Sequence, residues 1–154
     1  MRNRSLFHSP ALIMAERTTV VQIDRSYIEH FTHGQVAAWN ARDKATFMGL
    51  YRKVASDGLD VEYVGQSKQR DGWFVIEEMW DKHNGQIQLE VVTTIINGNV
   101  AAVHHHNCIA GTDQIIESIE TYTFAPGRLA IRYFLKPPSV TLNLRQFRGF
   151  SGEL

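Results

Sequence analysis

Cysteine is nearly absent from this 154-residue chain: Cys108 stands alone, which excludes an internal disulfide framework and a cysteine-rich zinc site and is compatible with a reducing cytoplasm. An excess of charge of either sign is also missing, since sixteen Lys and Arg balance sixteen Asp and Glu. With no basic stripe interleaved with aromatics, neither nucleic acid nor an anionic membrane is expected as a partner. No glycine-rich phosphate loop, nucleophile elbow or nucleotide fingerprint occurs; "GNVAAV" (98–103) is too apolar and too turn-like to count. No cofactor is therefore expected. What is present is 44% hydrophobic residues and 21% charged ones, enough to bury one good core and too little chain for two ordinary domains. The expectation is one soluble, cytoplasmic domain taking a small neutral or weakly polar ligand.

The opening "MRNRSLFHSPALIM" has an apolar run too short for a secretory signal, so residues 1–17 are expected to be a disordered leader, with Met14 as an alternative start to Met1. From Thr18 to Ala38 the apolar residues Val20, Ile23, Tyr27, Phe31 and Ala38 recur at helical spacing. Asp43 suits the N-cap of a second helix carrying Phe47, Leu50, Tyr51 and Val54 on one face. "LDVEYVG" (59–65) alternates as a strand, and Trp73, Ile76, Met79 and Trp80 mark a third helix ending at "HNG" (83–85). Four β-rich runs follow, Ile87–Ile96, Val100–Ala110, Ile115–Phe124 and Leu129–Lys136, separated by "NGN", "GTDQ" and "APG" as hairpin turns. This order predicts an α+β domain over 18–138: N-terminal helices packed on a strongly curved antiparallel sheet. Residues 139–154, with "SVTLNLRQF", are expected to form a tail, edge strand or flap.

The element order, together with "AAWNARD" (37–43), "LDVEYVG" (59–65) and "IETYTFAPGRLAIRYF" (119–134), resembles the nuclear transport factor 2-like superfamily, in its SnoaL-like and ketosteroid-isomerase-like branches. The resemblance covers roughly residues 20 to 136. It implies a cone-shaped barrel with a ligand pocket in its mouth, on a fold that hosts isomerases, dehydratases, cyclases, epoxide hydrolases and non-catalytic binders. It also implies that Glu120 falls where ketosteroid isomerases carry a pocket acid. Tyr63 and Gln35 fall where those isomerases keep their general-base aspartate and an oxyanion-hole tyrosine. Phe134 falls where SnoaL-like cyclases and limonene epoxide hydrolases carry an essential aspartate. The substituted types argue against assigning any of those three activities. By the same resemblance Trp39, Trp80, Tyr63 and Phe134 line the pocket.

"VHHHNC" (103–108) places three histidines in one predicted strand. Alternation puts His104 and His106 on one face, and His105 on the other with Val103 and Asn107. Counting back from a two-residue Asn97-Gly98 turn predicts Glu90 opposite His105. A four-residue loop at 111–114 predicts His105 opposite Glu120. A three-residue loop at 125–127 predicts Glu120 opposite Arg132, where a two-residue Pro-Gly loop would shift the pairing by one. The resulting row of Glu90, His105, Glu120 and Arg132 is either a pocket floor or a charge ladder. For His104 and His106 the expected neighbours are Leu89 and Val91. That leaves a metal without a third ligand, and places the two histidines at a subunit interface instead.

The functional expectation is an enzyme doing proton-transfer chemistry, of isomerase, dehydratase or cyclase type, on a hydrophobic or polycyclic substrate. His105 and Glu120 are its expected catalytic pair. Arg132, Tyr122, Tyr63, Trp39, Trp80, Phe134 and Asn107 are its expected substrate-binding residues, Arg132 and Tyr122 stabilising an oxyanion. The alternatives are a non-catalytic ligand-binding or interaction module and, third, an epoxide or ester hydrolase. A homodimer through the outer sheet face is expected.

Overall fold

A computed structural model describes residues 21–66 and 70–135 of the chain. The expected leader, residues 1–17, and the tail, 139–154, lie outside the described residues. Eight elements follow in order: α1 (Arg25–Asn40), α2 (Lys44–Val54), β1 (Gly58–Tyr63), α3 (Gly72–His83), β2 (Ile87–Asn97), β3 (Val100–Ile109), β4 (Ile115–Ala125) and β5 (Arg128–Leu135). The first helix starts later than its apolar periodicity predicts. Asp24 stops it, accepting a hydrogen bond from the Tyr27 backbone N–H at 2.8 Å. Asp43 and Asp71 cap α2 and α3 in the same way, through the N–H groups of Thr46 and Phe74. Each such cap contributes about 1 kcal/mol by satisfying a donor that the helix cannot satisfy itself.

The five strands form one sheet in the order β1-β5-β4-β3-β2. The expected antiparallel meander holds for β2 to β5, but β1 joins β5 in parallel, so the sheet is mixed. The turn at Pro126-Gly127 anchors this edge: the Asp57 N–H donates to the Gly127 carbonyl at 2.7 Å, and Gly127 holds φ at +67°. A proline before a glycine of positive φ is compatible with this tight reversal.

All three helices contribute to one hydrophobic core against a single face of the sheet. Ile28, Phe31 and Trp39 of α1, Phe47 and Tyr51 of α2, and Ile76 and Trp80 of α3 meet Val103, Tyr122, Phe124, Leu129 and Ile131 there. No helix among the described residues is long and apolar enough to cross a membrane.

Two glycines probe this packing with opposite signs. Gly72 opens α3 directly against β1, where a Cβ would overlap the Leu59 backbone carbonyl. Gly49 lies on the exposed side of α2 with nothing near it. Gly72→Ala is expected to lower unfolding free energy by about 1–3 kcal/mol through overpacking. Gly49→Ala is expected to raise it by up to about 1 kcal/mol through helix propensity. Urea unfolding of both variants checks this; equal effects would contradict the packing described here.

Candidate functional site

Strand alternation on β3, β4 and β5 brings the site together from the inner face. On β3 the inward residues are Ala101, Val103 and His105; on β4 they are Ser118, Glu120, Tyr122 and Phe124; on β5, Leu129, Ile131 and Tyr133. His105 and Glu120 therefore share the inner face as expected, but through a different register. Val103 is opposite Glu120, and His105 is opposite Ser118. The pairing is diagonal, with His105 Nδ1 3.3 Å from Glu120 Oε1.

Glu120 is 8% exposed and His105 is completely enclosed. The other Glu120 oxygen, Oε2, accepts a hydrogen bond from the Tyr122 hydroxyl. That hydroxyl in turn accepts one from Gln35 Nε2 of α1 at 3.3 Å. His105 is less well served. Despite the short distance to Glu120, neither ring nitrogen makes a hydrogen bond, the Nδ1 approach lying out of line. Leaving a buried polar group unsatisfied costs about 1–3 kcal/mol, so the ring is held there against its own solvation.

Around this pair stand further tyrosines. Burial pushes the hydroxyls of Tyr51, Tyr122 and Tyr133 well above the ordinary phenol range, and the nearby Glu120 charge adds to each shift. Tyr63, part-exposed at the end of β1 and stacked on Tyr133 with ring centroids 5.0 Å apart, is pushed up to about 12 by burial, then by Glu120. All four thus stay protonated donors through the neutral range. The sequence points to Tyr51 only as part of the apolar face of the second helix, and it does not point to Tyr133. Tyr133 follows from the turn: with a two-residue Pro126-Gly127 loop, Ala125 pairs with Arg128 and Glu120 with Tyr133.

The same one-residue shift corrects the expectation for Arg132. It is opposite Thr121 on the outer face, where its guanidinium pairs with Glu62 at 2.7 Å and is half exposed. Phe134 also faces outward, its ring 5.2 Å from that guanidinium. Neither can line an inner pocket, and the four-residue row does not form. Glu90 leaves it as well. The β2–β3 turn is Gly98-Asn99 rather than Asn97-Gly98, and an extra residue, Val92, bulges between Val91 and Thr93. Glu90 is consequently opposite His106 on the outer face, and Val91 is opposite His105.

Trp39 and Trp80 pack against each other, centroids 5.3 Å apart, and both pack on Phe47. The Trp39 indole N–H donates to the Ile87 carbonyl at 2.9 Å. Both rings sit in the core, with Trp39 3% and Trp80 8% exposed. Asn107 lies on the His105 side of β3, its amide donating to the Ile116 carbonyl at 2.8 Å and to Ser118 Oγ at 2.9 Å.

The tyrosine shifts set a direction for alkaline stability. Below pH 10.0, the ordinary phenol value, these tyrosines are neutral folded and unfolded, and stability is complete. Above it, tyrosines of the unfolded chain lose protons that the folded protein still holds, so stability falls as pH rises toward about 12 for Tyr63. Urea midpoints are expected to drop across that window, and Tyr63→Phe is expected to make the drop shallower. A midpoint that stays flat through this range, or one indifferent to the substitution, would refute the assignment.

No protein-family model matches the chain, and no curated protein sequence matches it. Solved structures do resemble it. A candidate ketosteroid isomerase from Kribbella flavida superposes with a TM-score of 0.60 at 14% identity, covering 84% of this chain and 90% of its own. A SnoaL-like protein of unknown function from Burkholderia thailandensis gives 0.57 at 16% identity, covering 75% and 98%. An NTF2-like protein of unknown function from Cytophaga hutchinsonii gives 0.55 at 14%, covering 76% and 94%. At these identities the likeness is one of architecture: the chain has the nuclear transport factor 2-like fold, as its SnoaL-like and ketosteroid-isomerase-like neighbours do.

Proposed function

We propose that the chain is an enzyme that moves protons on a hydrophobic, carbonyl-bearing small molecule, in the manner of an isomerase, dehydratase or cyclase. The observation that carries this reading is the enclosed His105 ring, beside a carboxylate yet hydrogen-bonded to nothing. Buried polar groups are hydrogen-bonded as a rule, and the exceptions among the described residues, the His105 ring and the Tyr51 hydroxyl, lie around Glu120.

In the proposed mechanism Glu120 Oε1 faces Nδ1, favours the proton on that nitrogen and leaves the Nε2 lone pair as the base. Nε2 takes a proton from the carbon next to the substrate carbonyl, and the electron pair passes to the carbonyl oxygen. Returning that proton to another carbon completes an isomerisation; expelling a β-hydroxyl as water completes a dehydration. Glu120 stabilises the imidazolium formed in between. Tyr122, bonded to the second Glu120 oxygen, positions the carboxylate rather than meeting the substrate. With Arg132 facing outward, the oxyanion donor is assigned to Tyr63, a protonated hydroxyl that is not fully covered.

A second reading, a non-catalytic ligand-binding module, is favoured by one observation: at 0% exposure, His105 meets a reactant only when the surrounding shell opens. Hydrogen–deuterium exchange separates the two without knowledge of the product. The protein is incubated in D2O with a panel of hydrophobic and polycyclic ketones, and deuterium gained next to the carbonyl is read by mass spectrometry. Catalysed exchange is expected for at least one ketone, falling about 100-fold or more in His105→Gln and in Glu120→Gln. Ligands that raise the melting temperature without any catalysed exchange would instead establish the binding module.

A further inference from the structure

We infer that the outer face of the sheet carries a site for one divalent transition-metal ion of the zinc type, ligated by His104, His106 and Glu117. The expectation that these histidines face Leu89 and Val91 is corrected by the register. His104 and His106 project outward from β3, Glu117 is directly opposite His106 on β4, and Glu90 is opposite it on β2. One ligand atom from each of His104, His106 and Glu117 lies within 4.8 Å of the other two.

The distances suit an ion. Glu117 Oε1 is 3.6 Å from His104 Nε2 and 3.8 Å from His106 Nε2. Bonds of about 2.0–2.1 Å to a tetrahedral zinc ion place neighbouring ligand atoms about 3.3–3.4 Å apart, so adjustments of a few tenths of an ångström bring Glu117 into range of both imidazoles, and rotation of the two part-exposed rings closes the third side. The two imidazoles meet edge to face, interplanar angle 89°, which lets both Nε2 atoms turn toward one point without the rings colliding.

Glu90 supplies the independent argument. Its Oε2 lies 3.6 Å from His106 Nδ1, on the opposite side of the ring from Glu117. A carboxylate so placed needs only a small rotation to accept the Nδ1–H of a metal-bound ring and so orient its Nε2 lone pair, the arrangement that metal-binding histidines use. His104 and His106 side chains are 29% and 28% exposed, so an ion can enter from solvent and a water can fill the fourth position. Two imidazoles and one carboxylate favour zinc, cobalt or nickel over magnesium or calcium, which take oxygen ligands. The ion would bridge β3 and β4 on the side of the sheet opposite His105, outside the proposed reaction.

Cobalt(II) and zinc(II) titrations of the full chain, stripped with chelator, test the site. Saturable binding of one cobalt per chain is expected, with the intense visible absorption of a four-coordinate site and displacement by zinc. His104→Gln, His106→Gln and Glu117→Gln should each weaken binding by more than about 100-fold, and Glu90→Gln by about 10- to 100-fold. Far-ultraviolet circular dichroism of each variant confirms that it remains folded. No saturable binding at millimolar cobalt would overturn the proposal and leave the cluster as ordinary ion pairs. So would binding that survives Glu117→Gln, which would move the ion elsewhere.

Discussion

A carboxyl group held away from water must be answered from within the protein, and Glu120 is answered by a hydrogen bond on one of its oxygens. Tyr122 donates to one, and His105 faces the other. Gln35 fixes Tyr122 from α1, tying the first helix to the centre of the sheet through a polar chain rather than by apolar contact alone. Much of the interior is arranged around this one group. The tyrosines of α2, β1 and β5 feel its charge, and their enclosure makes each a poor acid that keeps its proton.

Strand β3 has two chemistries because period-2 alternation leaves no intermediate position. His105 belongs to the dry side, enclosed beside Glu120; His104 and His106 belong to the wet side, among carboxylates. Three adjacent residues of one type therefore have three different sets of partners. Proximity in sequence counts for little here, since the groups that define each imidazole come from β2 and β4.

The elements themselves were legible in the chain. Helical spacing, the Asp43 cap and the glycine turns located all eight, and the motifs around Trp39, Tyr63 and Glu120 pointed to the right architecture. The shared face of His105 and Glu120 was legible too, because a register error of two residues preserves side-chain parity. An error of one does not, and it puts Arg132 on the wrong face; Phe134, placed in the pocket by the resemblance, lies on the same outer face. The preference for a three-residue loop at 125–127 overlooked how Pro126-Gly127 closes β4 on β5 while its carbonyl receives Asp57 from the β1 edge, a long-range contact that local turn rules do not contain. Trp39 and Trp80 lie in the core, and a helix's apolar stripe does not say whether it meets a ligand or another stripe. The parallel docking of β1 on β5 likewise depends on tertiary packing. Asp24 and Asp71 were readable as caps by the rule that picked out Asp43.

The doubled "VVTTII" (91–96) was the visible sign of the bulge. On the turn side of Val92 the even-numbered residues Thr94 and Ile96 face the core, and on the other side the odd-numbered Ile87 and Leu89 do. β2 thus runs in two phases, and Val92 is where one gives way to the other. Read in a single phase, the strand would have to turn Ile87 and Leu89 out to water to keep Ile96 inside, and Glu90 would point into the aromatic core. One unpaired valine reconciles the two, so a site defined by charge on the outside and a core defined by shape on the inside are set by a difference of one in the length of a strand.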